Sequence, residues 1–331
     1  METLLFEGRV ALVTGAGRGM GRTHALLLAA RGAKVIVNDV GGSMGGDGSS
    51  AQPAEQVAQE IRQAGGSAAA DFNDVSTEIG ANAMVRAAID NFGRIDIVVH
   101  NAGIVTFIPF SEMTYDQYRK LVAVHQDGGF LVAKAAWPYM VKQGIGRFVF
   151  ITSLANMQSL THYASAKGAV TGFVRSLGAE GVFHNIRANA LSVIAYTRMM
   201  AGYFDPTSNH LDVGLRGQYA IEKWWQEHLR PEQVSQVVGW LAHERCDVSG
   251  QTLFSGGGQV SLQFIGMTDG YVSSELTPES IHANRRQIFD TESGHYVYSA
   301  NALDGWLFAK IVQGGAPEVP PHSDAGSAHN P

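Results

Sequence analysis

The sequence predicts an α/β fold, a doubly wound parallel sheet with helices on both faces. Short apolar runs alternate with helical stretches over the first 260 residues. Two of these runs, VIV at 35–37 and IVV at 97–99, are apolar without alternation, as expected of strands that are covered on both sides. A glycine-rich turn, TGAGRGMG at 14–21, follows the first run. Repeated strand-helix units of this kind imply parallel strands joined by crossover helices.

The predicted elements follow one another in pairs along the chain. Strand-like runs stand at 9–15, 34–40, 67–75, 96–103, 147–153, 186–193 and 251–257. Helical stretches stand at 21–32, 53–66, 81–93, in a long region ending at 144, around Tyr163, and at 231–244. We predict one catalytic, dinucleotide-binding domain over 1–260, with a substrate lid at about 195–230, followed by a C-terminal extension over 261–331 with a flexible tail. Residues 41–50, GGSMGGDGSS, are expected to form a surface loop near the cofactor.

The composition of the chain limits the kinds of molecule that it is expected to bind. The chain has 24 Lys and Arg against 30 Asp and Glu, a net charge of −6 spread along the sequence, which argues against a nucleic-acid or anionic membrane surface. The single cysteine, Cys246, excludes an intramolecular disulfide and fits a reducing compartment. No apolar run approaches the roughly 18 residues of a membrane helix. We therefore expect a cytoplasmic protein with a small-molecule substrate and no metal ligands.

The glycine turn predicts a phosphate site. Gly15, Gly17 and Gly19 let a bare backbone approach a pyrophosphate, and the helix that follows supplies N–H donors and a partial positive charge. Arg18 and Met20 lie within the same turn. The strand before the turn and the helix after it favour cofactor binding over a merely flexible loop.

An acidic residue at the end of the second strand indicates which dinucleotide is bound. Asp39 stands where a carboxylate accepts hydrogen bonds from the adenosine ribose and repels a 2′-phosphate, which favours NAD over NADP. Arg18 could pair with that phosphate and works in the opposite direction.

Two further strand ends supply candidate cofactor contacts. Asp74 suits the adenine amino group and Val75 a backbone contact, although an aspartate at such a position, taken alone, is more often an ordinary turn or helix-cap residue. Asn101, Ala102 and Gly103 end the fourth strand, where small residues let the chain pass close to a nicotinamide riboside; a plain turn is the alternative.

The candidate reacting centre is Tyr163 with Lys167, four residues apart on one helical face, and Ser153 at the end of an apolar strand. An isolated tyrosine has a pKa of about 10, and a neighbouring cation lowers such a value by about 1 to 3 units. Tyr163 would then act as the general acid/base on an alcohol oxygen that Ser153 holds.

Taken together, these residues resemble the short-chain dehydrogenase/reductase family over approximately residues 6–260. The likeness rests on the Thr-Gly-x-x-x-Gly-x-Gly, Asn-Ala-Gly and Tyr-x-x-x-Lys motifs. The segments VIVNDVGG, HQDGGF, AAWPYM and LRPEQVSQVVGWLAHERCDVSG are similar to the (3R)-hydroxyacyl-CoA dehydrogenase part of peroxisomal multifunctional enzyme type 2. The resemblance implies a Rossmann-like fold, NAD, alcohol-to-ketone oxidation, and a homodimer or homotetramer.

The chain departs from the family pattern in three places. Ser153 precedes Tyr163 by ten residues instead of thirteen, which leaves Ser159 and Thr161 as alternative oxygen-holding groups. His125 stands where the family has a catalytic asparagine, and it either relays protons or packs as a helix histidine. The usual proline-glycine pair after the sixth strand is absent, and Thr197 there is a candidate nicotinamide contact.

Two hypotheses about function follow. The first is an NAD-dependent oxidoreductase that interconverts a secondary alcohol and a ketone on a bulky apolar substrate, because 195–230 is rich in aromatic residues and methionine. That substrate is either a hydroxyacyl thioester or a steroid or terpenoid alcohol. Four cations would meet a coenzyme A phosphate or remain solvated: Arg187, Arg198, Arg216 and Lys223. The second hypothesis is a catalytically weakened nucleotide-binding or sensing protein of the same fold.

Overall fold

A computed structural model describes residues 3–153, 160–202, 204 and 219–296. Its main feature is an eight-stranded sheet in the order β3-β2-β1-β4-β5-β6-β7-β8. The eight strands are β1 Val10–Thr14, β2 Lys34–Asn38, β3 Ser67–Asp71, β4 Ile97–His100, β5 Gly146–Thr152, β6 Ile186–Val193, β7 Thr252–Gly256 and β8 Gln259–Gln263. The predicted doubly wound α/β fold is confirmed, and β8 is a strand that the sequence pattern did not indicate.

The helices alternate with these strands. They are α1 Gly19–Ala30, α2 Gln52–Gln63, α3 Glu78–Phe92, α4 Tyr115–Val122, α5 Gly128–Gln143, α6 Thr161–Gly181, α7 Arg198–Ala201, α8 Tyr219–His228, α9 Pro231–Ala242, α10 Pro278–Ala283 and α11 Arg285–Ile288. Thr77 caps α3 by accepting a hydrogen bond from the Gly80 N–H. The long helical region predicted before residue 144 consists of α4 and α5, which a π-helical turn at Ala123–Asp127 joins.

The strands from β1 to β7 that carry the site run parallel. In β1, Leu12 lies beside Ile36 of β2 and Val98 of β4. In β5, Val149 lies beside Asn189 of β6 and Val99 of β4. Because parallel strands end on one edge, the residues that follow β1, β2, β4, β5 and β6 meet along a common line. The sheet order reverses between β1 and β4, which is where ligands bind in open α/β sheets.

Two apolar clusters cover the two faces of the sheet. One joins α1, α2 and α9 to the sheet through residues such as Leu28, Val57 and Leu241. The other joins α3, α5 and α6 through residues such as Met84, Met140 and Val174. Burying each such side chain stabilises the fold by about 1.5 to 3 kcal/mol. The two covered faces explain why β1, β4 and β5 are buried along their whole length.

The chain divides into two units, Met1–Leu262 and Gln263–Pro331. In the described part of the second unit, β9 Gly266–Met267 pairs antiparallel with β10 His295–Tyr296. Thr277 caps α10 with a capping box shared with Ser280, and Pro278 occupies the first helical turn. The predicted flexible tail lies outside the described residues.

Candidate active site

The glycine turn forms a cradle that added side-chain atoms would fill. Gly15 has a φ of 62°, in the left-handed region, and a Cβ on it would lie 2.8 Å from the Cα of Ala102. A Cβ on Gly17 would lie 2.6 Å from the Cβ of Pro53 and 2.8 Å from Oδ2 of Asp39. Since α1 begins at Gly19, the backbone of this turn and the first N–H groups of α1 fit the pyrophosphate of a dinucleotide.

The end of β4 is tied to the turn by hydrogen bonds. The Asn101 side-chain amide donates to the carbonyl oxygens of Thr14 (3.1 Å) and Gly15 (3.0 Å). The Thr14 hydroxyl accepts from the N–H groups of Asn101 and Ala102, each at 3.1 Å. In this structure Asn101 therefore holds the shape of the glycine turn, and its predicted contact with a cofactor stays a prediction.

Asp39 lies directly beside the turn. Its Oδ2 accepts from the Gly17 N–H (2.8 Å) and its Oδ1 accepts from the Gly41 N–H (2.6 Å). Each carboxylate oxygen retains a second lone pair, so the group keeps its capacity to accept from ribose hydroxyls. The carboxylate thus fixes the turn and faces the edge of the sheet predicted to hold the adenosine.

Asp74 and Val75 follow β3. The Asp74 side chain is exposed, and its Oδ1 accepts from both the N–H (2.9 Å) and the hydroxyl (2.7 Å) of Ser76, which is the turn arrangement. Val75 is 5% exposed and packs in the core. One strand away, Asn38 donates to Asp71 Oδ1 (2.7 Å) and so fixes the ends of β2 and β3.

A buried histidine at the end of β4 links the turn to the reacting centre. His100 Nε2 donates to the His125 carbonyl oxygen (3.2 Å), so its Nδ1 is the acceptor for the Thr14 hydroxyl at 3.3 Å. Burial lowers the pKa of His100 to about 4, which agrees with this neutral form. Thr14 donates its one proton to His100 and accepts two, so its hydrogen-bonding capacity is used.

His125 lies in the π-helical turn and is 1% exposed. Its Nε2 lies 3.0 Å from the Ile104 nitrogen and 2.8 Å from the Ile104 carbonyl oxygen, while its Nδ1 has no hydrogen-bond partner among the described residues. Burial places its pKa well below the ordinary 6.5, with a further lowering by Lys167. A Cβ on Gly103 would lie 2.5 Å from Cε1 of this ring, so the ring requires glycine there.

Tyr163 and Lys167 both lie on α6, close to His125. The Tyr163 ring meets the His125 ring edge to face at 5.3 Å between centroids, and Lys167 Nζ lies 5.6 Å from the centre of the Tyr163 ring. Lys167 Nζ donates to the Ile151 carbonyl oxygen at 2.7 Å. Burial lowers the pKa of Lys167 from 10.5 to about 7. The ammonium is thus easily deprotonated near neutrality, and it lies over the Tyr163 ring.

The predicted oxygen-holding groups fall at the start of α6 and the end of β5. Ser153 is half-buried directly after β5, and Thr161 is exposed at the first position of α6. Ser159 lies outside the described residues. Of the two described alternatives, Ser153 is the more enclosed and follows the strand that carries Ile151.

Thr197 lies close to the start of α1. A Cβ on Gly19 would lie 3.6 Å from Cγ2 of Thr197, so the segment after β6 contacts the start of α1. Within the predicted lid, Tyr196 donates to Glu222 (2.7 Å), and Phe204 meets Trp225 edge to face at 5.2 Å. The other lid residues at 203 and 205–218, Arg216 among them, lie outside the described residues.

The contacts run from Asp39 to Gly17 of the turn and from Gly15 to Ala102 after β4. From the next residue, Gly103, they continue through His125 and Tyr163 to Lys167. Sequence reasoning gave no role to the Thr14 hydroxyl or to His100, which join β1 to the end of β4. Thr14 is the first residue of the glycine-rich motif at 14–21, which is a usable signal, but nothing in the sequence separates His100 from an ordinary strand residue. It also missed His162, whose Nε2 lies 2.9 Å from the Thr106 hydroxyl.

The chain matches a family model described as short chain dehydrogenase over residues 9–206. Among curated relatives, a short-chain type dehydrogenase/reductase of Mycobacterium tuberculosis is 38% identical over 80% of this chain and 87% of its own length. Peroxisomal multifunctional enzyme type 2 of Mus musculus is 36% identical over 87% of this chain. This chain spans only 37% of that enzyme's length.

Among solved structures, a 7α-hydroxysteroid dehydrogenase complexed with NADH and 7-oxo glycochenodeoxycholic acid superposes with a TM-score of 0.67 at 29% identity. The alignment covers 78% of this chain and 98% of that one. The names of these two relatives and of this steroid dehydrogenase structure all describe dehydrogenases or a multifunctional enzyme. The residues that the family model matches include the glycine turn, the end of β4, Tyr163 and Lys167. The chain therefore belongs to the short-chain dehydrogenase/reductase family, within the subgroup that resembles peroxisomal multifunctional enzyme type 2, and is an oxidoreductase acting on CH–OH groups.

Proposed function

We propose that the protein is an NAD-dependent oxidoreductase that interconverts a secondary alcohol and a ketone, with Tyr163 as the general acid/base. The observation that carries the proposal is the buried Lys167 ammonium, 5.6 Å from the Tyr163 ring centre, at the same sheet edge as the glycine turn. A proton-transfer group beside a dinucleotide cradle is the arrangement that hydride transfer from an alcohol requires.

When bound, NAD would supply the hydride acceptor and a second positive charge. The glycine turn, Asp39 and Thr197 would hold it, and Tyr163 would accept the proton of the substrate hydroxyl. Ser153 would hold the same oxygen by a hydrogen bond. Lys167 would favour the ionised phenol through its charge, which is worth most in a buried setting.

His125 would act as a positioning residue for this centre. Its ring fixes the Ile104 backbone on one side and packs on Tyr163 on the other. Because burial keeps the ring neutral near pH 7, it carries no charge that would compete with Lys167. Its Nδ1 has no hydrogen-bond partner among the described residues. This nitrogen would therefore serve in the proton relay that the resemblance implies for this position.

The preference for NAD over NADP rests on Asp39. Its carboxylate is held in place by two backbone N–H groups and would repel a 2′-phosphate. Arg18 works against this, since its exposed guanidinium lies on the same side of the turn. We propose that the repulsion of a 2′-phosphate by Asp39 outweighs its attraction to Arg18, so that NAD is preferred.

The substrate we propose is bulky and mainly apolar. Phe204 is 2% exposed and packs on Trp225, so part of the aromatic content of the lid forms its own core. The relatives favour two chemical classes, a hydroxyacyl thioester and a steroid alcohol, and both have an extended apolar body. Arg187 lies in β6, while Lys223 on α8 is exposed, lies 4.0 Å from Glu227 and would have to leave that pair to meet a coenzyme A phosphate.

We further propose a homodimer or homotetramer that buries the faces of α5 and α6. A groove between these helices is lined by Phe130, Trp137, Phe173 and Leu177, with Lys134 and Glu180 at its rim. Phe130 is 49% exposed and belongs to this apolar lining, and contiguous apolar surface favours a protein–protein contact. The compartment we propose is the cytoplasm, although several relatives carry the word peroxisomal in their names. No described helix combines the length and apolarity that a membrane crossing needs.

A panel of substrates followed at the NADH absorbance tests the proposal. It should contain short secondary alcohols, steroid alcohols and hydroxyacyl thioesters, each with NAD and with NADP. We expect turnover with at least one bulky class and faster reaction with NAD. If NAD binds but no alcohol or ketone reacts, the sensing protein becomes the better account, a role that the ten-residue Ser153–Tyr163 spacing and His125 would favour.

A further inference from the structure

The loop of residues 41–50 crosses the edge of the sheet that holds the candidate site. It leaves β2 beside Asp39, and its two ends meet where the Ser50 N–H donates to the Val40 carbonyl oxygen (2.9 Å). Its middle reaches the chain after β4, because the Val105 N–H donates to the Met44 carbonyl oxygen (2.9 Å). β1 lies between β2 and β4 in the sheet. A loop that joins these two places therefore passes the carboxyl end of β1, where the glycine turn begins.

The tip of the loop is fixed by an ion pair. Lys120 Nζ on α4 lies 2.6 Å from Oδ1 of Asp47, and both side chains are largely exposed. The Ser43 hydroxyl accepts from the Asp47 N–H (3.0 Å), which sets the position of the carboxylate. A Cβ on Gly46 would lie 3.1 Å from Cγ2 of Ile104, so the tip rests on the chain after β4.

The stem of the loop meets two arginines. Nη1 of Arg18 and Nη2 of Arg198 each lie 3.5 Å from the Gly42 carbonyl oxygen. These guanidiniums come from the glycine turn and from the segment after β6. Arg198 has its pKa lowered by partial burial and by the charge of Arg18, and raised by that of Asp39. The positive charges of these two guanidiniums favour the binding of an anion between them.

We propose that residues 41–50 form a strap across the dinucleotide cleft and that the Lys120–Asp47 ion pair is its latch. Lys120 is then a positioning residue that sets how fast a dinucleotide enters and leaves, without touching the reacting atoms. The proposal rests on the dinucleotide site of the proposed function. The ten-residue strap contains five glycines, so its backbone bends readily once the latch opens.

The latch is exposed, so its effect is modest in size. An exposed ion pair contributes little, which corresponds to about a two- to fivefold change in an equilibrium between latched and open strap. Opening the strap accelerates entry and exit together, so both rate constants rise while the dissociation constant changes less than either. A residue that only supported the fold would lower affinity and thermal stability together instead.

Stopped-flow fluorescence of NADH binding and displacement by excess NAD tests the latch on the full chain. In K120Q and in D47N we expect both rate constants to rise about two- to fivefold at low salt, with melting temperatures near that of the wild type. The charge-reversed double variant K120D/D47K should restore slow exchange. Because salt screens exposed pairs, the wild type at high salt should approach the variants.

R119Q is the matched control, since Arg119 is the neighbouring residue of α4 and pairs with Asp127 at 3.0 Å, away from the strap. It should leave both rate constants unchanged. Equal acceleration in R119Q, or unchanged rates in K120Q and D47N, would overturn the latch while leaving the dinucleotide site intact. If wild-type protein bound no NADH at all, the site itself would fail, and the strap with it.

Discussion

The glycine-turn half of the site is held by backbone contacts, whereas the tyrosine half is formed by buried ionisable side chains. Around the turn, backbone meets backbone: the Cα of Ala102 stands 2.8 Å from where a Gly15 Cβ would lie, and Asn101 donates to two carbonyl oxygens. Around Tyr163, buried ionisable side chains meet one another, and burial lowers the pKa of Lys167 to about 7 and that of His125 well below 6.5. Shape thus dominates the first half and electrostatics the second.

Breaking the shape of the first half should have the largest effect on stability. Gly15→Ala places a side chain at a left-handed φ and against backbone, so we expect at least about 2 kcal/mol lost from the free energy of unfolding. Gly168→Ala, in α6 with open space around its Cβ position, should instead gain about 0.5 to 1 kcal/mol. Urea unfolding measures both, and similar values for the two variants would refute the distinction.

The contribution of the tyrosine half to the free energy of unfolding should depend on pH. Burial lowers the pKa of Lys167 to about 7, whereas an unfolded chain has an ordinary lysine pKa of about 10.4. Between these values the unfolded state binds more protons, so this residue makes stability rise with pH from about 7 to 10. Below pH 7 the folded state carries the whole cost of the buried ammonium, on the order of a few kcal/mol.

Lys167→Met should therefore flatten the pH dependence of the free energy of unfolding in that window. Lys142→Met, at an exposed position on α5, should leave the slope as it is in the wild type. The same slope in the wild type and in Lys167→Met would show that the ammonium is not desolvated in the folded protein.

Asp39 combines backbone contacts with electrostatics, because its charged carboxylate is held in place by two backbone N–H groups. We expect NADH to bind about tenfold more tightly than NADPH, and Asp39→Asn to reduce that ratio by removing the repulsion of a 2′-phosphate. Asp90→Asn, on the surface of α3, should keep the wild-type ratio. Calorimetric titration with the two reduced nucleotides measures the ratio, and tighter NADPH binding by the wild type would overturn the assignment.

The sequence predicts the shape-based half better than the electrostatic half. Glycines report directly where backbone must come close, and an apolar run without alternation reports a strand covered on both faces. The break between α4 and α5 at Ala123–Asp127 escapes prediction, because the helical periodicity continues on both sides of it. His100 and Lys120 escape as well, since their partners Thr14 and Asp47 are distant in sequence and only the fold brings them together.

The measurement that tests the account most directly compares turnover and NADH binding in Tyr163→Phe. The phenol oxygen is removed while the ring that packs on His125 is retained. The account predicts a fall in alcohol oxidation of about 10² to 10⁴, the usual contribution of a general acid/base, with NADH affinity within about twofold of the wild type. Turnover close to that of the wild type would contradict it.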